Sequence, residues 1–273
     1  MIISDYLLLS YQNSEMKNTL LFIAMMTTFN GFTQTLDSVN YKIGAQSFTA
    51  FYAYPEVMNE STKTILIVHE WWGLNEYPKS RAMKIASEGN IAFCIDMYGT
   101  GKQGLNPQEA QGLATPYYAD PQLAYDHFMA GYYEAIKLRG VNKSRIAAIG
   151  YCFGGSMVLN ASKMGAPVDA VVSFHGGLAG VAVNGEKLTA AVLICNGGAD
   201  QFVPETDIDQ IKKEMKANNE DFAFINYEGA THAFTNPQAT ENGIKFNIPI
   251  EYNAEADAKS WLDFNKFINE KVK

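Results

Sequence analysis

A cysteine flanked by glycines, between an apolar run and a helix-like segment, is the feature that most restricts the possible fold of this chain. Residues 145–149 form an apolar run of strand length, and G-Y-C-F-G follows directly at residues 150–154. Glycines two positions before and after Cys152 let a strand and a helix approach closely and leave the central side chain at the tip of a turn. The pattern predicts a nucleophile elbow, in which serine is the usual central residue.

The cysteine at this turn has two interpretations. A thiol has a reference pKa of about 8.5, so a neighbouring base can convert it to the thiolate, which is the stronger nucleophile. Alternatively, Cys152 is a small buried residue on a glycine-rich turn, because cysteine is among the residues most often buried. Cys94 and Cys195 fall within apolar runs, where we expect inert core thiols. The three cysteines are far apart without a C-x-x-C pair, so the sequence predicts neither a disulfide framework nor a metal site.

The composition is typical of a soluble globular protein, with 47% hydrophobic and 18% charged residues. The formal net charge of -8 argues against nucleic acid or an anionic lipid surface as a partner, because both attract basic patches. The chain contains no run of lysine or arginine. We therefore expect a small molecule as the partner, without stable insertion into a membrane, and the sequence indicates no particular oligomeric state.

Residues 1–33 are predicted to be a leader that precedes a single domain over residues 34–273. A short basic segment that begins at Met16, followed by an apolar run at residues 20–26, is typical of a secretory signal, with cleavage after Thr33. A membrane anchor and an N-terminal core strand are the alternatives, but the run is shorter than the roughly 20 residues that a spanning helix needs. The prediction is a periplasmic or secreted protein, or a cytoplasmic one if the leader is not processed.

Strand-like and helix-like segments alternate along the rest of the chain. Residues 64–68, T-I-L-I-V, are typical of a strand buried on both faces of a parallel sheet, whereas residues 99–121, rich in glycine and proline, predict a surface excursion. The alternation predicts an α/β fold, with a mostly parallel central sheet and helices on both faces. The predicted strands are 46–54, 64–68, 91–95, 145–149, 170–174, 190–195 and 222–227, and the predicted helices are 79–89, 121–138, 154–164, 204–217 and 254–272.

Four candidate catalytic residues directly follow predicted strands: Cys152, Asp200, His232 and Glu70. Residues just past the carboxyl ends of parallel strands meet at one edge of the sheet, where ligands bind. The order nucleophile, acid, histidine is that of the α/β-hydrolase triad. We therefore expect His232 to take the thiol proton and Asp200 to hold the imidazole tautomer. Alternatively, Asp200 is a turn aspartate and His232 a loop histidine bonded to the backbone.

The backbone amides of Phe153 and Trp71 are the predicted oxyanion donors, because one follows the nucleophile and the other lies in the loop after an early strand. We expect no catalytic role for the remaining histidines. His69 is expected to orient the segment that follows it, because the sequence lacks the second histidine of an H-E-x-x-H zinc site. His127 is expected to be solvated on a helix, and His175 is expected to line the wall of the substrate pocket.

Five motifs together resemble the dienelactone hydrolase family, the carboxymethylenebutenolidases, over about residues 64–267: H-E-W-W-G-L-N, D-M-Y-G, G-Y-C-F-G-G, G-A-D-x-F-V-P and A-T-H-A-F-T-N-P. The resemblance implies a single-domain α/β-hydrolase fold without a cofactor. It implies Cys152 as the nucleophile and Asp200 and His232 as the rest of the triad. It also implies that Glu70 stands where the family has a glutamate that interacts with the resting thiol. Its substrates would be enol-lactones or esters, cleaved through an acyl-enzyme.

The sequence departs from the family pattern in its positive charges. Dienelactone hydrolase proper holds the carboxylate of its substrate with one arginine shortly after the D-x-Y segment and another just beyond the catalytic histidine. Residues 96–102 and 232–236 contain no arginine, and Lys102 would be the remaining source of charge, without the bidentate grip of arginine. The resemblance therefore implies hydrolysis of an ester or lactone, but not the dienelactone substrate itself.

Trp72, Tyr98, Lys102 and His175 are the residues predicted to line the substrate pocket. The aromatic residues in this region could form an apolar pocket for an aromatic or acyl ester, or could simply fill the core and loops. Another function also fits the sequence: a non-catalytic protein that binds small molecules with the same fold, because a fold does not dictate a function. A redox role for Cys152 is disfavoured, because no resolving cysteine lies near it in sequence.

Overall fold

The computed structural model describes residues 35–183, 188–219 and 221–273. The predicted leader, residues 1–33, lies outside the described residues. The described strands are β1 (Leu36–Ile43), β2 (Gln46–Ala53), β3 (Thr64–Val68), β4 (Ile91–Ile95), β5 (Ile146–Tyr151), β6 (Ala170–Phe174), β7 (Ala191–Gly197) and β8 (Phe222–Tyr227). The described helices are α1 (Glu76–Ser87), α2 (Pro107–Ala119), α3 (Pro121–Ala135), α4 (Phe153–Lys163), α5 (Glu205–Asn218), α6 (Ala239–Phe246) and α7 (Ala254–Lys271).

The eight strands form one sheet in the order β1-β2-β4-β3-β5-β6-β7-β8. The β1–β2 and β2–β4 pairs are antiparallel, and every later pair in the sheet is parallel. This arrangement confirms the predicted α/β-hydrolase fold. Strands β3 to β7 are buried along their whole length, as expected for strands covered by helices on both faces.

Alternate residues of the central strands belong to two separate cores. On β3, Leu66 and Val68 pack with α2, α3, α4 and α5, whereas Ile65 and Ile67 pack with α1 and α7 on the other face. The period of two along a strand therefore distributes one apolar run between two helical layers. The sheet is held rigidly from both sides, so the loops at its carboxyl edge have a fixed support.

One predicted loop is wrong in part, because residues 99–121 contain the helix α2. The side chain of Asn106 accepts a hydrogen bond from the backbone N–H of Glu109, and Pro107 occupies the first helical turn. Ala110, Ala114 and Tyr117, at helical spacing, are the buried face of this helix. Glycines and prolines before and within the helix, among them Gly112 and Pro116, concealed this helical period.

Two other elements, β1 and α6, were absent from the sequence-based prediction. Strand β1 pairs along its full length with β2, which protects an edge strand that shows little hydrophobic alternation. Helix α6 is short and ends at Phe246, and the next residue, Asn247, adopts a left-handed conformation with φ of 51°. Within the described residues, no helix combines the length and apolar character that a membrane span requires.

Candidate active site

Cys152 stands at the sharp turn between β5 and α4, with φ of 53° and ψ of -115°. A positive φ is unfavourable for a residue with a side chain, so neighbouring contacts must hold it. The N–H of Cys152 is directed at the carbonyl oxygen of Phe174, 3.0 Å away, and at Nδ1 of His175, 3.1 Å away. Strand β6 thus anchors the turn, and the thiol remains partly exposed.

The glycines on either side of this turn are required because the backbone segments around it approach closely. A Cβ atom at Gly150 would lie 2.0 Å from the carbonyl oxygen of Gly154, and a Cβ atom at Gly154 would lie 2.2 Å from that of Val68. No side chain fits at such distances. The strand-turn-helix predicted from the glycine spacing is therefore present, and the glycines allow backbone to contact backbone.

The structure brings Cys152, His232 and Asp200 together. Nε2 of His232 lies 3.0 Å from Sγ of Cys152, and Nδ1 of the same ring donates to Oδ2 of Asp200 at 2.8 Å. The other carboxylate oxygen of Asp200 accepts from the backbone N–H of Phe202 at 2.8 Å. Asp200 is therefore a turn residue as well as the partner of the imidazole. A base beside a thiol, itself oriented by a carboxylate, is the geometry of an activated nucleophile.

The charges of this trio favour a protonated imidazole. Burial alone would lower the pKa of His232, but Cys152 and Asp200 oppose burial, and together they raise the pKa well above its ordinary value. An imidazolium between a sulfur and a carboxylate is stabilised from both sides. The arrangement thus favours a protonated His232 beside the sulfur of Cys152.

Glu70 follows β3 and lies beside this trio, with 2% of its surface exposed. Its Oε2 accepts a hydrogen bond from Nδ2 of Asn236 at 2.6 Å, and Oε1 has no partner among the described residues. Burial raises the pKa of Glu70 to about 7, against the opposing effects of Asn236, His232 and Arg81. The resemblance implied a contact between this glutamate and the thiol, whereas here the thiol is bonded to His232 and the carboxyl group to Asn236.

His69 holds the segment that carries Glu70 and Trp71. Its Nδ1 donates to the carbonyl oxygen of Glu70 at 2.6 Å, and its Nε2 accepts from the backbone N–H of Met97 at 3.2 Å. The ring is fully buried, and burial lowers the pKa of His69. A neutral imidazole bonded on both nitrogens therefore orients this loop, in agreement with the sequence-based expectation.

The structure corrects the expectation that His175 lines the pocket, because the ring lies fully buried beneath the turn. Since its Nδ1 accepts from the N–H of Cys152, its Nε2 carries the proton and donates to Oγ1 of Thr235 at 2.7 Å. That hydroxyl is also 2.6 Å from the hydroxyl of Tyr77. Burial and the neighbouring His232 keep the pKa of His175 well below its usual value, so the ring is a neutral link.

A cavity of about 230 Å³ opens at the sulfur of Cys152. Pockets for drug-sized ligands are roughly 300–1,000 Å³, so this one suits a small molecule. Trp72 contributes to the wall, as predicted from sequence. Glu70 and His232 also line the cavity. The remaining wall is apolar or nearly so, and it is formed by Trp71, Tyr118, Gly177, Phe202, Ala233, Ile248 and Ile250.

Two other predicted pocket residues lie elsewhere. The ring of Tyr98 is buried against His69 and Phe153, with centroids 4.7 Å and 5.3 Å away, so it packs behind the cavity wall. Lys102 lines a separate pocket that also includes Asp96. The turn after β4 carries the lysine away from the cavity, and the expectation that Lys102 meets a substrate charge is corrected.

His127 is buried, and the expectation that it is solvated is wrong. Its Nδ1 donates to the carbonyl oxygen of Met97 at 3.0 Å and lies 3.1 Å from the hydroxyl of Tyr117. The ring therefore belongs to the buried face of α3.

Sequence reasoning missed Asn236 as the partner of Glu70, and it missed part of the cavity wall. Asn236 belongs to the A-T-H-A-F-T-N-P motif, and its place four residues after His232 was the available signal. No local pattern marks Ile248 and Ile250, which follow the unpredicted helix α6.

The model of the Dienelactone hydrolase family matches residues 48–272. A protein of Aquifex aeolicus named "Putative carboxymethylenebutenolidase" is 30% identical over 178 residues, which are 63% of this chain and 76% of the relative. "Protein usf" of Aquifex pyrophilus shows the same identity and coverage. The family match includes the strand ends from which the site is built.

Two solved structures are similar over 88% of this chain and the whole of each compared chain, both with a TM-score of 0.81. One is a dienelactone hydrolase-like promiscuous phosphotriesterase from metagenomic libraries, at 29% identity. The other, "m3DLH", is 25% identical. The similarity therefore extends over the sheet and helices that support the site.

Proposed function

Because this chain belongs to the dienelactone hydrolase family, we propose that it hydrolyses a carboxylic ester or lactone through Cys152, His232 and Asp200. The observation that carries the proposal is the 3.0 Å contact between Sγ of Cys152 and Nε2 of His232, at a cavity open to a small molecule. The 2.8 Å bond from His232 to Asp200 supports it, because it fixes the imidazole with Nε2 toward the sulfur.

In the first step the sulfur of Cys152 attacks the substrate carbonyl carbon, and the thiol proton passes to His232. The resulting oxyanion accepts hydrogen bonds from the backbone amides of Phe153 and Trp71. Neither amide has a hydrogen-bond acceptor within the described residues, and Phe153 is the first residue of α4. A helix N-terminus carries partial positive charge, so it favours an oxyanion there.

Collapse of this intermediate breaks the bond to the leaving oxygen, which takes the proton from His232 and departs as an alcohol. The acyl group stays on Cys152 as a thioester. His232 then removes a proton from water, which attacks the thioester, releases the acid and restores the thiol. Asp200 keeps the imidazole in the required tautomer and stabilises it when it is charged.

Glu70 is the fourth polar group that we place in this reaction. Its position at the cavity wall and its pKa of about 7 let it change protonation state near neutral pH. The protonated carboxyl group can donate a hydrogen bond from Oε1 to the reacting groups, whereas the ionised form can accept one.

Turnover by matched variants tests this function. Purified protein is incubated with short-chain aryl esters and lactones, and product release is followed for the wild type, Cys152→Ala and Ser156→Ala. Loss of Cys152 is expected to reduce kcat by at least about 1,000-fold. Ser156→Ala is the matched control, because it removes a nearby hydroxyl on α4, which donates to the carbonyl oxygen of Gly177 at 3.0 Å, and leaves the sulfur of Cys152 in place.

The alternative function, binding without catalysis, gives a different result in the same experiment. A binding protein raises its melting temperature with a ligand but releases no product from any ester. Retention of most turnover by Cys152→Ala would instead show that another residue is the nucleophile.

Export is a separate proposal, which concerns residues 1–33 alone. Sequencing the N-terminus of the protein purified from its native source tests it. Processing of the leader predicts Gln34 as the first residue, and a protein that begins at Met1 contradicts it.

A further inference from the structure

We propose that this site selects small uncharged esters and lactones and discriminates against substrates that carry a carboxylate close to the scissile bond. The inference rests on the hydrolase function proposed above and specifies its substrate class. It is argued from the side chains that form the cavity, from the cations that do not reach it and from the way in which Glu70 is held.

The wall of the cavity is mostly apolar, and Tyr118 adds a neutral phenol to it. Trp71, Trp72, Phe202, Ile248 and Ile250 supply most of it. The edge of the Phe202 ring lies against His232, with centroids 5.1 Å apart, so an apolar surface reaches the catalytic imidazole itself. A carboxylate placed against such a surface loses its hydration without replacement hydrogen bonds, which is strongly unfavourable.

The ionisable side chains at the cavity are Glu70, Cys152 and His232, which we place in the reaction, and Tyr118. Burial raises the pKa of the Tyr118 phenol, so that group is neutral. Within the described part of the chain, no lysine or arginine lines the cavity. When Cys152 and His232 form a thiolate and an imidazolium, their charges cancel, and the carboxylate of Asp200 lies directly behind them. An anionic substrate therefore meets the carboxyl group of Glu70, and no lysine or arginine of the described cavity wall compensates its charge.

Three cations on neighbouring elements make other contacts. Arg81 donates to Oδ1 of Asp257 at 2.7 Å and to the backbone carbonyl of Thr235, and it is buried behind the site. Lys102 lines a separate pocket. The ammonium of Lys245 lies over the ring of Phe246, 4.8 Å from its centroid, on the exposed side of α6.

The partner of Glu70 strengthens this discrimination. Asn236 holds Oε2 with a neutral amide, which orients the carboxyl group and adds no positive charge to the cavity. A cation in the same place would neutralise Glu70 and attract an anionic ligand, whereas an amide does neither. The net charge of -8 adds a long-range repulsion that slows the approach of anions.

Two acetate esters of matched shape test the inference. 4-Acetoxybenzamide is neutral and 4-acetoxybenzoate is anionic, and each rate is normalised to the hydroxide-catalysed hydrolysis of the same ester. The normalised kcat/KM is expected to be at least about tenfold higher for the amide, because like charges placed together in a site are strongly unfavourable. A preference of about threefold or more supports the inference, and a smaller one overturns it.

Variants of Phe202 test whether charge in the cavity causes the selectivity. This residue is 53% exposed, so a polar replacement is compatible with the fold. Phe202→Arg is expected to reduce the preference for the neutral ester by about threefold or more, whereas Phe202→Gln, which removes the ring without adding charge, leaves it within about twofold. Lys102→Ala is expected to leave it unchanged. An unchanged preference in the arginine variant would contradict the inference.

4-Nitrophenyl acetate serves as a common reference and separates two kinds of failure. If none of the three esters is hydrolysed, the proposed function fails and the substrate inference fails with it. If the reference ester is hydrolysed but the neutral member of the pair has no advantage, or neither member is hydrolysed, the inference fails and the hydrolase function stands.

Discussion

The side-chain amide of Asn236 donates to Glu70 across 2.6 Å, between two loops that are far apart in sequence, and it is the hydrogen bond that holds this buried carboxyl group. The second carboxyl oxygen has no partner among the described residues. A carboxyl group that is buried with one oxygen unbonded favours its protonated form, and burial accordingly raises the pKa of Glu70 to about 7. The protonation of Glu70 therefore contributes to the charge of the cavity and to a pH-dependent part of the stability.

The raised pKa of Glu70 predicts a loss of stability as pH rises. An unfolded chain releases this proton near pH 4.5, whereas the folded protein keeps it to about pH 7, so the folded state binds more protons in between. The contribution is fully present below pH 4.5, and about 3 kcal/mol is lost as pH rises to 7. Denaturant unfolding of the wild type and Glu70→Gln at pH 5 and pH 8 measures it. The variant should gain stability relative to the wild type at pH 8, and an equal difference at both pH values contradicts the prediction.

Asp200→Asn is expected to lower the pKa of His232, because it removes one of the two negative groups that raise this pKa. It should also reduce kcat/KM by roughly 100- to 10,000-fold, since an amide can hold the wrong imidazole tautomer. Nitrogen-15 NMR of the imidazole reports its protonation across pH, and steady-state kinetics reports the rate. A variant with wild-type kcat/KM would show that Asp200 is only a turn residue.

The buried link from Cys152 through His175 to Thr235 predicts that the threonine hydroxyl supports the turn. Thr235→Val leaves the Nε2–H of His175 without its acceptor and should lower the free energy of unfolding by about 1–3 kcal/mol. Thr100→Val is the matched control, because the hydroxyl of Thr100 bonds to Thr49 at the surface. Its effect should stay within about 0.5 kcal/mol. Equal effects in the two variants, measured by urea unfolding, would contradict the prediction.

The close approach at the elbow predicts different outcomes for two glycines. Gly154→Ala places a Cβ atom 2.2 Å from the carbonyl oxygen of Val68, so it should lower the melting temperature strongly and reduce activity. Gly112→Ala, in α2, meets no atom within 4 Å and should raise the free energy of unfolding by about 0.5–1 kcal/mol. Thermal unfolding checks both. A Gly154→Ala protein that melts with the wild type would show that the elbow tolerates a side chain.

The parts of the site that were predictable from sequence lie where the backbone alone decides position. Parallel strands end at a common edge, so residues directly after them, Cys152 after β5 and Asp200 after β7, are brought close whatever the side chains do. The glycines around Cys152 similarly impose their turn. A run of five β-branched or apolar residues on β3 was enough to predict a buried strand.

The parts that were missed depend on the direction of side chains and on distant partners. His175 also follows a strand, but its φ of 42° turns the ring beneath the elbow instead of into the cavity. Lys102 lies only a few residues after β4, yet the intervening turn carries it to another pocket. The bond between Asn236 and Glu70 joins residues from opposite halves of the chain. The position of Asn236 near His232 indicates a site residue, but it does not indicate Glu70 as the partner.

The acyl-enzyme itself gives the most direct test of the central claim, that the sulfur of Cys152 is the nucleophile. The protein is mixed with 4-nitrophenyl acetate, quenched with acid before turnover is complete, digested and analysed by mass spectrometry, beside Cys152→Ala and Ser156→Ala. The account predicts one acetyl group on Cys152 in the wild type and in Ser156→Ala, and none at this position or elsewhere in Cys152→Ala. An acetyl group on any other residue of the wild type, with product still released by Cys152→Ala, would contradict it.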